Sequence, residues 1–301
     1  MAEPIMRVLR AGDTSKPNSF TIWIIANPAL EAPWNSGQFI PDPIVGNQAG
    51  FDASAAYIEQ VLFGLLPSER ESIFSDPLIG PRVRVASLFA TGLSPVNSSS
   101  LVGQDSVSDL LIARRTQFVP FLAQFGYAAD VAYAVTASPT HTRASAWFTS
   151  DDDTRPGVSF MLDGASLAHR FFNVIPGTIA IHATAQSITP LHEFQHAISS
   201  YTNGSIVDLY VDSNPALNCK AGRPIPPVFA TYDGMSLATD PARDGLGYPA
   251  NWSSYHCGLF NPALPAIMDN YWLAPTAPEQ CENDLITRQF INDRLRAKVG
   301  R

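Results

Sequence analysis

The stretch Phe20-Thr-Ile-Trp-Ile-Ile-Ala-Asn27 consists mainly of β-branched and aromatic residues and is closed by an Asn-Pro pair, which is typical of a buried strand. From Asp52, a candidate helix cap, to Leu66, apolar residues recur at helical spacing, and Pro67 ends the pattern. Residues 82–90 then alternate in the manner of a second strand. The first part of the chain is therefore predicted to form strand, helix and strand.

The following segments repeat this order. Ser106–Phe125 carries apolar residues at three-to-four spacing and predicts a helix kinked near Pro120, and Asp130–Thr136 predicts a third strand. A further apolar strand is predicted at Ile179–Ile181. Alternating strands and helices favour an α/β fold, in which helices flank a mixed sheet with several parallel strands, and an α+β fold is the alternative.

No charge shift or low-complexity linker divides the chain, so we expect one domain over residues 1–301. Within it, residues 1–203 are expected to form an α/β lobe. Residues 204–301 are crowded with Pro, Gly, Asn and Asp and are expected to form a loop-rich lobe that ends in a helix at 282–298. The acidic triplet Asp151–Asp153 is interpreted as a solvated turn rather than a cation site.

The composition excludes several classes of protein. Of the 301 residues, 46% are hydrophobic, which excludes a disordered chain, and no apolar run reaches the length of about 18 residues that a membrane-spanning helix needs. A net charge of −8 without any basic cluster argues against a nucleic-acid partner. The first residues lack the pattern of a secretory signal, and because a removed signal would leave no trace, the compartment stays open.

The motif that carries chemistry is His192-Glu-Phe-Gln-His196, a His-Glu-x-x-His sequence. Thr189 can cap a helix here, Pro190 suits its first turn, and Asn203-Gly204 can end it. Positions i and i+4 lie on one face of a helix, so both imidazoles can reach a single ion at about 2.0–2.1 Å. Glu193 is offset from that face and is placed to hold a water molecule.

With six His and eight Glu in the chain, chance produces about 0.003 occurrences of the motif, so its presence predicts a zinc site.

An apolar stripe accompanies the motif on the same predicted helix. The stripe predicts that one flank of the helix is buried and that the histidines face a cleft. Its members are Leu191, Phe194, Ile198 and Tyr201.

A catalytic zinc site needs a third protein ligand and an open position for water. No glutamate occurs between Glu193 and Glu279, which excludes a ligand glutamate from the following helix. The longer pattern His-Glu-x-x-His-x-x-Gly-x-x-His is absent, because Ser199 and Thr202 occupy the places of its glycine and last histidine. An aspartate is the natural substitute. The candidate third ligands are Asp208, Asp212, Asp233 and, as a non-aspartate, His256.

Two segments carry a resemblance to a known family. Asp208-Leu-Tyr-Val-Asp212 resembles the Asp-Glu-Tyr segment of the IgA-protease-like metallopeptidases, with Leu209 in place of the glutamate and a longer loop before it. Phe260–Asp269 resembles the Met-turn of that family and of metzincins at large. The resemblance implies a metzincin-like fold, Asp208 as the third ligand, and Met268 as a floor beneath the ligands.

Together the motif and the resemblance imply zinc-dependent hydrolysis of peptide bonds, with Zn²⁺ as cofactor and a peptide or protein as substrate. Glu193 is expected to act as general base and acid, and Tyr271 is a candidate donor to the oxyanion. One alternative is a binding protein that zinc only stabilises, closed by His256 or Cys257 as a fourth ligand. The other is a zinc hydrolase that acts on a non-peptide substrate.

The three cysteines, Cys219, Cys257 and Cys281, all follow the motif. Two of them pair if the protein meets an oxidising compartment, and the alternative is three buried thiols. If two pair, Cys257 with Cys281, on either side of the Met-turn-like segment, is the expected disulfide.

Overall fold

The computed structural model of the chain describes residues 4–13, 19–64, 72–106, 108–147, 176–185, 188–198, 267 and 285–299. The strands are β1 (Ile5–Arg10), β2 (Phe20–Ala26), β3 (Ala29–Glu31), β4 (Phe39–Pro41), β5 (Val83–Phe89), β6 (Val102–Gln104), β7 (Leu111–Ala113), β8 (Val131–Thr136), β9 (Ser145–Trp147) and β10 (Gly177–His182). The α-helices among these residues are α1 (Gln48–Phe63), α2 (Arg115–Ala123), α3 (Thr189–Ile198) and α4 (Leu285–Val299).

A six-stranded mixed sheet, in the order β1-β5-β2-β8-β10-β9, forms the centre of the fold. The four inner strands run parallel, whereas β1 and β9 pair antiparallel at the two edges. β8 is buried along its whole length, as expected for a parallel strand that is covered on both faces. The predicted α/β fold with parallel strands is confirmed, and so are its four predicted strands, each to within two residues.

Helices cover both faces of the sheet. On one face, α1, α3 and α4 contribute Phe51, Phe194 and Leu295 to a single core. On the other face, α2 contributes Phe118 and Phe121 to a second core. β5 lies on one side of β2 and β8 on the other, so the direction of the chain across the sheet reverses between β2 and β8. Such a reversal is the place where α/β sheets open a crevice at the carboxyl ends of their strands.

A buried carboxyl group, that of Asp42, connects the segments around this switch point by hydrogen bonds. Asp42, which directly follows β4, is fully buried and accepts hydrogen bonds from the side chains of Asn27 (2.8 Å) and Thr136 (2.5 Å). It also accepts from the backbone N–H groups of Ile44 (2.9 Å) and Ala137 (3.0 Å). Burial raises the pKa of Asp42, and these hydrogen bonds offset part of the rise. Asp42 thereby ties the β3–β4 hairpin to the ends of β2 and β8.

The helix predicted over Ser106–Phe125 is wrong in its first half. Only α2 is helical, with Pro120 inside it, and β7 instead pairs antiparallel with β6. The Asp105 carboxylate accepts hydrogen bonds from the backbone and hydroxyl of Ser108 and so shapes the turn between these strands. Burial alternates over Leu111–Ala113 with the period of a strand. Three residues are too few to distinguish that period from a helical one in sequence.

α1 begins four residues before the predicted start at Asp52. Its cap is Asn47, whose side-chain oxygen accepts a hydrogen bond from the N–H of Gly50 at 2.9 Å. Asp52 instead forms an ion pair with Arg7 of β1 at 3.0 Å. β1 had no sequence prediction, because most of its side chains are exposed and it carries no apolar pattern.

Strand β10 approaches α3 closely at Gly177. A Cβ atom on this residue would lie 2.1 Å from the backbone oxygen of Ala197. Gly177→Ala is therefore expected to lower the free energy of unfolding by about 2–3 kcal/mol, because α3 must move off β10. Thermal unfolding measures this change, and Gly46→Ala, with no atom within 4 Å of its added Cβ, is the control. An unchanged melting temperature for Gly177→Ala would contradict this packing.

Three predictions concern the carboxyl-terminal part of the chain. α4 confirms the helix expected at 282–298, to within three residues at its start. The boundary between residues 203 and 204 and nearly all of the expected loop-rich lobe lie outside the described residues.

Within the described ranges, no helix has the length and apolar character needed to cross a membrane.

Candidate functional site

The His-Glu-x-x-His motif lies on α3, which follows β10. The helix begins at Thr189, one residue before the predicted first helical position at Pro190, and the carbonyl of Ile188 accepts a hydrogen bond from the N–H of His192 at 3.0 Å. The Tyr133 hydroxyl, from the centre of β8, donates to the carbonyl of Pro190 at 2.8 Å. Strand β8 therefore anchors the first turn of the motif helix.

The apolar flank of α3 is buried, as predicted. Leu191, Phe194 and Ile198 are all at most 1% exposed. The Phe194 ring packs edge-to-face against Phe20 of β2, with ring centres 6.3 Å apart, and against Phe74, with ring centres 5.2 Å apart. These contacts fix the rotation of the helix about its axis and so determine which way the motif side chains point.

The two motif histidines come together on another side of the helix. The ring centres of His192 and His196 are 5.0 Å apart and the ring planes stand at 86°. An ion about 2.0–2.1 Å from one nitrogen of each ring lies about 3.2 Å from each ring centre, and a tetrahedral angle then separates the centres by about 5 Å. The observed separation therefore fits a shared ion.

This side of the helix is more enclosed than the expected cleft. His192 is 3% exposed and Glu193 is 4% exposed, while His196 is half-buried. The expected cleft beside both histidines stays a prediction, and the backbone carbonyl of Ile267 lies within hydrogen-bonding distance of the His192 ring. His196 is the more accessible member of the pair.

A backbone contact orients the first histidine. Nδ1 of His192 lies 2.9 Å from the carbonyl oxygen of Ile267. A carbonyl oxygen can only accept, so Nδ1 carries the proton, and Nε2 is left with the lone pair that binds a metal. Ile267 directly precedes Met268, the methionine of the Met-turn-like segment. That segment therefore reaches the motif helix in this structure at the residue before the methionine.

Glu193 lies close enough to Tyr133 for its charge to act on the phenol. Burial raises the pKa of Tyr133 well above its usual value, and the negative charge of Glu193 raises it further. The hydroxyl therefore stays protonated, and its O–H group donates a hydrogen bond to the carbonyl of Pro190. The carboxylate of Glu193 thus belongs to the same enclosed part of the fold as the anchor between β8 and α3.

Most of the other predicted site residues lie outside the described residues. Within the part of the chain that the structure describes, no three His, Cys, Asp or Glu side chains are grouped to hold a metal. The predicted residues outside it are Asp208, Asp212, Asp233, His256, Met268, Tyr271, Tyr201, Cys219, Cys257, Cys281 and Asp151–Asp153. The third-ligand assignment to Asp208 and the role of Tyr271 stay predictions.

Two supporting contacts had no sequence prediction. The first is the hydrogen bond from Tyr133, which the sequence could have indicated, because a buried tyrosine in an otherwise apolar strand needs a hydrogen-bond partner. Arg294 of α4 donates from Nε to the carbonyl of Ile198 at 3.3 Å, which attaches α4 to the last described turn of α3. The period of α4 predicts a helix but does not indicate which carbonyl its arginine reaches.

The chain matches no family model, and a comparison with curated proteins finds no match either.

Proposed function

We propose that this protein is a zinc metallopeptidase, in which His192 and His196 bind the ion and Asp208 completes the protein ligands. The observation that carries the proposal is the histidine pair on one helix, with ring centres 5.0 Å apart and Nδ1 of His192 held by the carbonyl of Ile267. Imidazole is a ligand that zinc prefers, and a hydrogen bond to its other ring nitrogen, as at His192, orients it for binding.

Zinc at these ligands would supply Lewis acidity toward a carbonyl oxygen and make a water molecule more acidic. Glu193 takes the proton from the attacking water and passes it to the leaving amine. Glu193 is only 4% exposed, so few bulk water molecules compete with the reacting one. Tyr271 is the proposed donor to the oxyanion.

The proposal includes a metzincin-like site of the IgA-protease-like type. The contact between His192 and Ile267 supports this part, since residues 260–269 resemble a Met-turn and Ile267 precedes its methionine. Met268 would then support the ligands from below without taking part in the reaction.

A closed, structural zinc site is the second candidate, and the burial of His192 favours it. Such a site needs a fourth protein ligand, His256 or Cys257, and leaves no position for water. A hydroxamate titration separates the candidates, because an open site binds the hydroxamate and loses peptidase activity while a closed site does neither. A parallel assay of ester and amide substrates tests for a non-peptide hydrolase.

The third ligand is tested by zinc content. Asp208→Ala is expected to lower bound zinc from about one ion per chain to less than about a tenth of that after dialysis, because two imidazoles alone hold the ion weakly. Elemental analysis measures it. Asp212→Ala is the matched control, since it removes the same residue type from the same segment and should retain zinc. Unchanged zinc in Asp208→Ala would assign the ligand to another residue.

A further inference from the structure

A cavity whose lining includes no residue of the motif helix lies at the carboxyl edge of the sheet. We call it the Trp34 groove; it has a volume of about 680 Å³ and its lining includes Trp34, Ile40, Gln104, Asp109, Pro139 and His141. Its walls are the β3–β4 hairpin, the turn between β6 and β7, and the loop after β8. Cavities of this size commonly bind ligands, and this edge is where α/β sheets place them.

One wall of the groove is an aromatic ring held in a fixed place. Trp34 is half-buried and lies over Gly103 of β6. A Cβ atom at Gly103 would lie 2.8 Å from the outer edge of the Trp34 ring, so the ring occupies the space that this glycine leaves free. Ile40, on the same hairpin, is 45% exposed and adds apolar surface beside the ring.

The side-chain amide of Gln104 contributes a hydrogen-bond acceptor to the lining of the groove. Gln104 is only 7% exposed and lines the groove. Its Nε2 donates to the hydroxyls of Ser138 (2.7 Å) and Thr140 (3.3 Å). In the described part of the chain its Oε1 accepts no hydrogen bond. A side-chain amide oxygen in the lining of a cavity can accept a hydrogen bond from a bound ligand.

The remaining polar groups of the groove add negative charge. Asp109 is exposed, and its nearest side-chain donor is the Thr142 hydroxyl at 3.5 Å. Asp105 supplies a second carboxyl group to the lining. His141 uses Nε2 to donate to the carbonyl of Asp105 and Nδ1 to bond Thr140. No lysine or arginine belongs to the described lining, so the groove offers mainly acceptors.

We propose that the Trp34 groove binds an arginine side chain of a polypeptide. A guanidinium has five N–H donors and no acceptor, which suits the carbonyl of Gln104 and the carboxylate of Asp109. Its plane stacks on an indole ring, and the exposed Ile40 beside the groove suits the apolar part of the chain that carries it. The inference uses no residue of the proposed zinc site and does not depend on it.

The test is calorimetric titration of the full chain with acetyl-Ala-Arg-Ala-amide, in the Glu193→Gln background so that hydrolysis contributes no heat. The citrulline peptide, which is neutral and of the same shape, is expected to bind at least about tenfold more weakly. Ethylguanidinium, a guanidinium compound without a peptide backbone, tests whether the groove recognises an arginine of a polypeptide or any small guanidinium compound. Equal affinity for the citrulline peptide, or binding of ethylguanidinium as tight as the arginine peptide, would overturn the proposal.

Two substitutions locate the binding. Asp109→Asn changes an exposed side chain, so the fold should persist, and affinity for the arginine peptide is expected to fall about fivefold to tenfold. Asp293→Asn, on an exposed position of α4, is the charge-matched control and should leave affinity unchanged. Gly103→Ala displaces the Trp34 ring without changing any charge and should also weaken binding. Unchanged affinity in both Asp109→Asn and Gly103→Ala would place the peptide elsewhere.

Discussion

Replacing Glu193 with glutamine is expected to lower peptide hydrolysis about a thousandfold while bound zinc stays at the level of the unsubstituted chain. Glutamine has nearly the shape of glutamate but cannot take a proton from water. The two imidazoles keep their orientation, because the hydrogen bond from His192 to the carbonyl of Ile267 does not involve position 193. Turnover and zinc content are measured on the same preparation.

Glu59→Gln is the control for this substitution. Glu59 lies on α1, where its carboxylate pairs with Arg10 at 2.7 Å, so the same chemical change is made away from the motif. Hydrolysis should be unchanged in this variant. If Glu193→Gln keeps more than about a tenth of the activity, Glu193 is not the base. If it loses zinc together with activity, its effect is on the ligands and not on proton transfer.

Asp42→Ala is expected to produce the largest loss of stability, about 4 kcal/mol in the free energy of unfolding. The substitution removes the acceptor of Asn27, Thr136 and two backbone N–H groups, and three of these four hydrogen bonds are buried. It also releases the β3–β4 hairpin from the ends of β2 and β8. Chemical denaturation measures the change.

Asp76→Ala is the matched control for the Asp42 substitution. Asp76 pairs with Arg296, whose side chain is 49% exposed, and accepts a hydrogen bond from the N–H of Leu78 at 2.8 Å, so removing its carboxylate should cost about 1–2 kcal/mol. A loss at Asp42 no larger than the loss at Asp76 would show that the buried carboxyl group is dispensable for the fold.

The centre of the sheet could be predicted from the sequence because its strands are covered on both faces. Phe20–Ala26 and Val131–Thr136 are nearly continuous apolar runs, and burial on both faces requires that composition. Edge and hairpin strands carry no such pattern. The sequence pattern places Leu111–Ala113 within a helix and predicts no strand at Ile5–Arg10, whose side chains are mostly exposed.

The candidate site likewise has features that the sequence predicts and features that it does not. The motif identified His192 and His196, and the apolar stripe predicted the buried flank that Phe194 occupies. The contact of His192 with Ile267 joins residues 75 positions apart, and nothing local to either residue encodes it.

Zinc K-edge X-ray absorption of the zinc-loaded full chain tests the central claim most directly. An open catalytic site built on His192 and His196 predicts one zinc per chain, about four nitrogen or oxygen neighbours at about 2.0–2.1 Å including two imidazoles, and no sulfur. A sulfur neighbour at about 2.3 Å, as a cysteine ligand would give, or a spectrum with no imidazole scattering, would contradict it.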